Sequence, residues 1–367
     1  MSSGQLTALF SMLNFGSLIL LSFITFTNPL KVNRKANQWF AAFLLFWSLF
    51  WADEILGLSE HVQWQLFVRF LQYFTPLLFF ISIMFFTQPA PSYRKSMLWH
   101  MILPFVYLML LMVYYYSVPK NELLNYLMIL LLLGQSLYYT FASAVLIRRH
   151  KKNVLLYASD PAKVDLFWLE RIIFAVLLIL IAAIGYNIIA QLQSLNLFMN
   201  ITMLLVIYYI AFYSLRQKEI WPFTEPVGRE LLELNAQRTE KSPQQKKIIP
   251  DEELISQKTL VHKYMQEQKP YLDTELNLMK LSELLDTTPH KLSYLVNAGF
   301  GQNFFHFVNQ YRVEEAKKLL LDPHKDQLTI LGIAFEAGFN SKTAFNNAFR
   351  KITGLTPSEF KERRLAL

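Results

Sequence analysis

The sequence predicts an all-α protein in two parts: an N-terminal seven-helix transmembrane bundle and a C-terminal soluble domain holding two helix-turn-helix units. Three observations predict it. The composition is too apolar for an ordinary soluble chain. Seven apolar segments of bilayer-spanning length fill the first 215 residues. One helical pattern occurs twice near the end.

Of 367 residues, 53% are hydrophobic and only 17% charged, and the mean hydropathy is +0.26. Thirty-one phenylalanines stand in the same chain as a charged tail, which separates a membrane part from a soluble one. The absence of cysteine excludes disulfides, thiolate zinc sites and cysteine nucleophiles. No glycine-rich phosphate loop, nucleophile–base motif or retinal-type lysine is found, so no enzyme, cofactor or metal site is expected. The net charge of +8 suits anionic lipid or nucleic acid, and equally the basic loops that flank membrane spans.

The apolar segments lie at 6–27, 39–58, 65–87, 97–117, 123–147, 169–190 and 197–215. Each approaches the roughly 20 residues that cross a bilayer as a helix. The first lacks the basic start and small-residue cleavage site of a signal peptide. Basic residues set the orientation. Lys31, Arg34 and Lys35 follow the first segment, Arg94 and Lys95 the third, Arg148, Arg149, Lys151, Lys152 and Lys163 the fifth, and Arg216 and Lys218 the seventh. The alternate loops carry only Lys120. An external N-terminus and a cytoplasmic C-terminus follow. Trp39, Tyr114, Tyr115, Tyr116, Tyr213 and Trp221 stand at segment ends, where such rings favour the headgroup zone or pack between helices.

Ionisable groups within the segments are few, so each bears on function. Asp53 and Glu54 near the outer end of the second segment match the depth of Arg69 in the third. They fit either a structural ion pair or a sensing pocket that also uses Asn187 or Gln191. His100 has no second histidine at metal spacing and reads as interfacial, and Pro76 and Pro104 are candidate kinks.

Residues 216–257 read as a polar cytoplasmic linker, with Leu231, Leu232 and Leu234 as a short amphipathic stretch. Residues 258–367 form the soluble domain, whose first helix should end at Lys269–Pro270. Its units span 278–298 and 329–353. In the second, Ile330, Ile333, Ala334 and Ala337 share one helical face. Gly338 suits a sharp turn, and Asn340 and Ser341 can cap the next helix. That helix should bury Phe345, Ala348, Phe349 and Ile352 and display Lys342, Thr343, Asn346, Asn347 and Arg350, amide, hydroxyl and guanidinium groups of the kind that read a DNA major groove.

In the first unit, Leu278, Leu281, Leu284 and Leu285 mark a helix that stops at Asp286–Thr287. Thr288–Pro289 starts another, burying Leu292, Leu295 and Val296 and displaying His290, Ser293, Tyr294 and Asn297. Residues 303–321 contain no glycine or proline and predict a helix about 30 Å long, close to the roughly 34 Å between successive major grooves on one side of a duplex.

From about Leu260 to Arg364 the chain resembles the two-motif DNA-binding domain of the AraC/XylS family of bacterial transcription regulators. The matching stretches are QYRVEEAKKLL, IAFEAGFNSKTAFNNAFRK and GLTPSEFK. The resemblance implies that the outward residues of the two reading helices contact bases, with Arg350 and Lys351 as phosphate contacts. Ser293 and Tyr294 stand where longer polar or basic side chains are frequent. From Lys258 onward there are 15 basic against 12 acidic residues, so bulk charge contributes little. The expected protein is a one-component regulator in a bacterial cytoplasmic membrane. Its expected partners are double-stranded DNA, the lipid bilayer and an unidentified small-molecule or membrane signal, with a second copy of the chain and RNA polymerase as further candidates. The alternative is a membrane receptor whose tail docks a protein without binding DNA.

Overall fold

A computed structural model of the chain describes residues 3–56, 62–88, 99–117, 121–161, 166–175, 177–178, 197–220, 228 and 249–365. These residues are helical throughout, apart from turns and one isolated β-bridge between Ala158 and Asn277. They fall into two compact units. One takes in residues 1–149 and 166–220, the other residues 150–165 and 221–367.

The apolar unit contains α1 (Ser3–Thr27), α2 (Arg34–Leu56), α3 (Val62–Gln72), α4 (Thr75–Thr87), α5 (Ile102–Tyr116), α6 (Glu122–Val154, whose last residues belong to the second unit) and α7 (Leu197–Ser214). Five helical stretches are long and apolar enough to cross a membrane: Gly4–Thr27, Val62–Thr87, Trp99–Tyr116, Glu122–Val154 and Leu197–Ser214. Among the described residues, five of the seven expected spans therefore meet that standard. The segment at 39–58 is occupied by α2, and most of the segment at 169–190 lies outside the described residues. So do Arg94, Lys95, Lys120, Lys163, Asn187, Gln191, Trp221 and the leucines at 231–234.

Pro76 interrupts the third segment as expected. Its ring cannot follow a continuous turn, so α3 ends at Gln72 and α4 starts at Thr75. Pro104 lies in the first turn of α5, where a missing N–H breaks no helical bond.

The second unit contains α8 (Asp251–Gln268), a 3₁₀ turn (Pro270–Leu272), α9 (Leu278–Leu284), α10 (Pro289–Phe300), α11 (Phe304–Leu321), α12 (Ile330–Glu336), α13 (Lys342–Thr353) and α14 (Pro357–Leu365). Helix α8 stops before Pro270 as expected, with Lys269 in the left-handed region at φ 47°. Two apolar clusters lie along α11. Phe304, Phe307 and Val308 pack with Leu278, Leu281, Leu292, Leu295 and Val296. Val313, Ala316 and Leu320 pack with Ile333, Ala334, Phe345 and Phe349. One helix thus serves two small cores, one towards each of its ends.

Candidate nucleic-acid interface

The two turns close through the same set of bonds. In the first, the Leu285 amide donates to Leu281 O (3.1 Å), Asp286 N to Glu283 O (3.1 Å) and Thr287 N to Ser282 O (2.9 Å). In the second, Ala337 N donates to Ile333 O (2.9 Å), Gly338 N to Phe335 O (3.0 Å) and Phe339 N to Ala334 O (2.9 Å). This pattern satisfies the last carbonyls of a helix through one left-handed residue. That residue is Asp286 at φ 50° in the first turn and Gly338 at φ 87° in the second. A side chain at Gly338 would also meet backbone, since an added Cβ would lie 2.4 Å from Tyr271 O and 2.9 Å from Leu272 Cα.

Each following helix is capped by a hydroxyl. Thr288 Oγ1 accepts from Lys291 N (3.2 Å), and Ser341 Oγ accepts from Ala344 N (3.2 Å). Helix α13 buries Phe345, Ala348 and Phe349, with Phe339, Phe345, Phe349 and Phe360 in consecutive ring contacts 5.1–5.5 Å apart. Ile352, expected inside, is 39% exposed because Phe360 from α14 closes that end of the core instead. The outward face carries Lys342, Thr343, Asn347, Arg350 and Lys351, all exposed, with Asn346 half-buried beside them. Lys351 Nζ lies 3.0 Å from His306 Nε2. Burial, and then the neighbouring Lys351 charge, hold His306 below its ordinary pKa.

The outward face of α10 differs from the expectation. Ser293 is buried at 7% exposure, so it does not belong to an exposed reading face. The Asn297 amide donates back to Ser293 O at 2.7 Å. Tyr294 packs against the core of the first unit, and His290 is half-buried with a neighbour of its own. On another side of the same helix, α8 packs along α10 through the Lys291–Glu253 ion pair (3.0 Å) and Leu254 near Gly299. More than one side of α10 is therefore covered.

Arg312, on α11, escaped notice as a structural residue. It is 2% exposed, and its Nε donates to Tyr271 O (2.7 Å) and its Nη2 to Asp273 O (2.9 Å). Burial lowers its pKa to about 10, while the charges of Asp160 and Asp273 work in the opposite direction. Its spacing was a usable signal, because Val308, Arg312 and Ala316 fall at four-residue intervals on the buried side of α11.

In the apolar unit, Arg69 stands on α3 with its guanidinium 5.6 Å from the Tyr115 ring. It lines a 320 Å³ cavity together with Gln65, Gln72, Tyr107 and Asn125. The side chains of Asp53 and Glu54 lie outside the described residues. His100 is not isolated, as its Nδ1 is 2.8 Å from the Tyr139 hydroxyl. A polar group that the sequence reading missed joins α1, α2 and α7: the Asn14 amide and Trp51 Nε1 donate to Asn200, and the Asn200 amide donates to Ser11.

Residues 281–363 match the helix-turn-helix domain family. These residues are a helix-turn-helix domain. Over 93 residues the chain is 34% identical to an uncharacterised HTH-type transcriptional regulator of Staphylococcus aureus strain COL, covering 25% of this chain and 12% of that protein. Over 99 residues it is 25% identical to the HTH-type transcriptional regulator GlxA of Rhizobium meliloti strain 1021, covering 27% of this chain and 30% of that one. The chain thus spans only a small part of the length of these relatives. Among solved structures, it is similar to the C-terminal domain of AraT, a response regulator from Geobacillus stearothermophilus (28% identity, 29% of this chain and 84% of that one, TM-score 0.26). It is also similar to the C-terminal domain of the two-component response regulator yesN from Fusobacterium nucleatum (31% identity, 29% and 98%, TM-score 0.26).

Proposed function

We propose that the chain is a membrane-embedded one-component transcription regulator. Seven spans anchor it in a bacterial cytoplasmic membrane with the N-terminus outside, and the tandem helix-turn-helix reads double-stranded DNA in the cytoplasm. The reading is carried by the two turns, alike bond for bond, followed by a reading helix that exposes Lys342, Thr343, Asn347, Arg350 and Lys351 on one side. An amide and a guanidinium on one helix face can bond base edges, while lysines engage phosphates without reading sequence. Helix α11 has 18 residues, about 27 Å at 1.5 Å per residue, a spacing suited to two contacts on one side of a duplex. The relatives named as transcription regulators support the same reading. Within the bilayer, Arg69 and its cavity are the sensing candidates, answering an unidentified small-molecule or membrane signal.

The test uses the full chain in detergent and duplexes selected from random sequence. The wild type should enrich a defined sequence with salt-sensitive affinity. Arg350→Ala and Asn347→Ala should each weaken that duplex by about 1–3 kcal/mol if they lose base contacts. A correctly folded wild type that enriches no sequence would leave the protein-docking receptor as the better account.

A further inference from the structure

Residues 150–165 belong to the second unit although, in sequence, they stand between the fifth and sixth apolar segments. Within that unit, the last residue of α6 and the chain after it run as a strap across both helix-turn-helix units. Val154, Tyr157 and Ala158 are part of the first unit's apolar core. Leu155 O accepts from Phe305 N at the start of α11 (3.1 Å), and Tyr157 O accepts from Leu278 N at the start of α9 (2.9 Å). The Ser159 hydroxyl donates to Leu276 O and accepts from Arg312 Nη2 (3.2 Å). The last contact reaches the second unit, where the Asn340 amide donates to the Asp160 carboxylate. Ser159 and Asp160 are both under a tenth exposed.

Asn340 has a particular place in the repeat. Between the left-handed residue and the capping hydroxyl, the first turn has one residue, Thr287, and the second has two, Phe339 and Asn340. The extra residue of the second turn is thus the one that the strap holds. Arg312 gathers the same elements from α11, bonding Tyr271, Asp273 and Ser159 at once.

We propose that residues 154–160 are a control strap: docked, they tie the two helix-turn-helix units into one reader, and their release uncouples the two reading helices. The strap is continuous in sequence with apolar segments on both sides. A change in those segments has a direct covalent route to the reader, separate from the linker after residue 220. The effect on DNA rests on the reading proposed above; the coupling itself does not.

The chain has no cysteine, so label positions can be introduced without removing any. Glu283→Cys on α9 and Glu336→Cys on α12, both exposed, would carry spin labels in the full chain in detergent without DNA. With the native strap, the interlabel distance distribution should be single and narrow. Asp160→Ala should at least double its width, and Asp160→Asn, which keeps an acceptor for Asn340, should restore it. Asn340→Ala cuts the same bond from the other side and should broaden the distribution equally, with the thermal transition retained in every variant. Unchanged width in Asp160→Ala, or broadening by only one of the two alanine variants, would overturn the strap. In a second arm, Asp160→Ala should bind a duplex with two half-sites about tenfold more weakly while binding one half-site as wild type does. An equal loss on both duplexes would also overturn it. A wild type that selects no duplex would remove the DNA reading while leaving the distance result to decide the strap.

Discussion

The two helix-turn-helix units are built to one plan and use it differently. Each has a seven-residue helix, a turn closed through a left-handed residue, a hydroxyl cap and a twelve-residue helix ending at a left-handed glycine, Gly301 or Gly354. In the first unit, α8 and the chain after α6 add to the core, so α10 is covered on more than one side. In the second, α14 closes the core from one end and leaves the outer side of α13 free. What the fold repeats is the turn. What it varies is how much of the following helix it exposes, and this makes the second unit the stronger candidate for reading bases.

The comparison is broken most severely at the turns. Gly338→Ala must hold a left-handed alanine and place its Cβ 2.4 Å from Tyr271 O, a backbone atom that cannot rotate away. Left-handed strain and overpacking together should cost about 2–5 kcal/mol. Asp286→Gly meets the opposite situation, a left-handed aspartate replaced by the residue that tolerates the conformation best. Its stability should change by within about 1 kcal/mol, strain relief and backbone entropy offsetting each other. Thermal unfolding of the two variants checks the pair, and equal losses would mean that the turns are interchangeable after all.

Base reading should be just as asymmetric. Arg350→Ala should weaken binding to a selected duplex by about 1–3 kcal/mol, whereas Ser293→Ala, at a buried position, should leave the affinity of the folded protein within about 0.5 kcal/mol. Titration of one duplex with both variants decides it. A Ser293→Ala loss as large as that of Arg350→Ala would restore Ser293 to the reading face.

Local signals in the sequence carried the turns. Gly338, the pair Thr288–Pro289 and the leucine spacing of α9 each determine a backbone conformation through residues close in the chain. The burial of Ser293 was not legible in that way. It depends on packing across the fold, and a polar residue at an outward helical position looks the same whether or not another helix covers it. The four-residue spacing of Val308, Arg312 and Ala316 marks Arg312 as buried, but not that Tyr271, Asp273 and Ser159 would be its partners. Likewise the segment 154–160 follows the basic last turns of α6, and nothing in its own residues points to Asn340, 180 positions away from Asp160.

The caps should separate the units least in stability. Ser341→Ala and Thr288→Ala each remove one bond to a helical amide, of 3.2 Å in both cases, and should each cost about 1 kcal/mol. Equal losses in denaturant titration would support one shared capping chemistry. A difference beyond twofold would mean that Pro289, in the first turn of α10, already supplies much of the start signal there.

A smaller contrast lies one helix further on, in how the units answer acid. After each reading helix the chain restarts through a capped turn, with Asn303 capping α11 at the His306 amide (2.9 Å). Around Thr356 the bond is reciprocal: the Glu359 carboxylate accepts from Thr356 N (2.7 Å) and Thr356 Oγ1 accepts from Glu359 N (3.3 Å). The position three residues after the cap is therefore His306 in one unit and Glu359 in the other. Both have lowered pKa values, His306 through burial and then Lys351, Glu359 chiefly through the Thr356 backbone bond. A lowered folded pKa means that the folded state holds its proton less tightly than the unfolded chain. The stability that each group contributes is thus present above its unfolded pKa and lost as pH falls through the folded value. For His306 the loss starts near pH 6.5, and for Glu359 near pH 4.3. Thermal unfolding between pH 8 and pH 3 should accordingly show two shallow declines. His306→Gln should flatten only the one below about pH 6.5, and Glu359→Gln only the one below about pH 4.3. A single variant that flattens both would show that one group governs acid sensitivity across the two units.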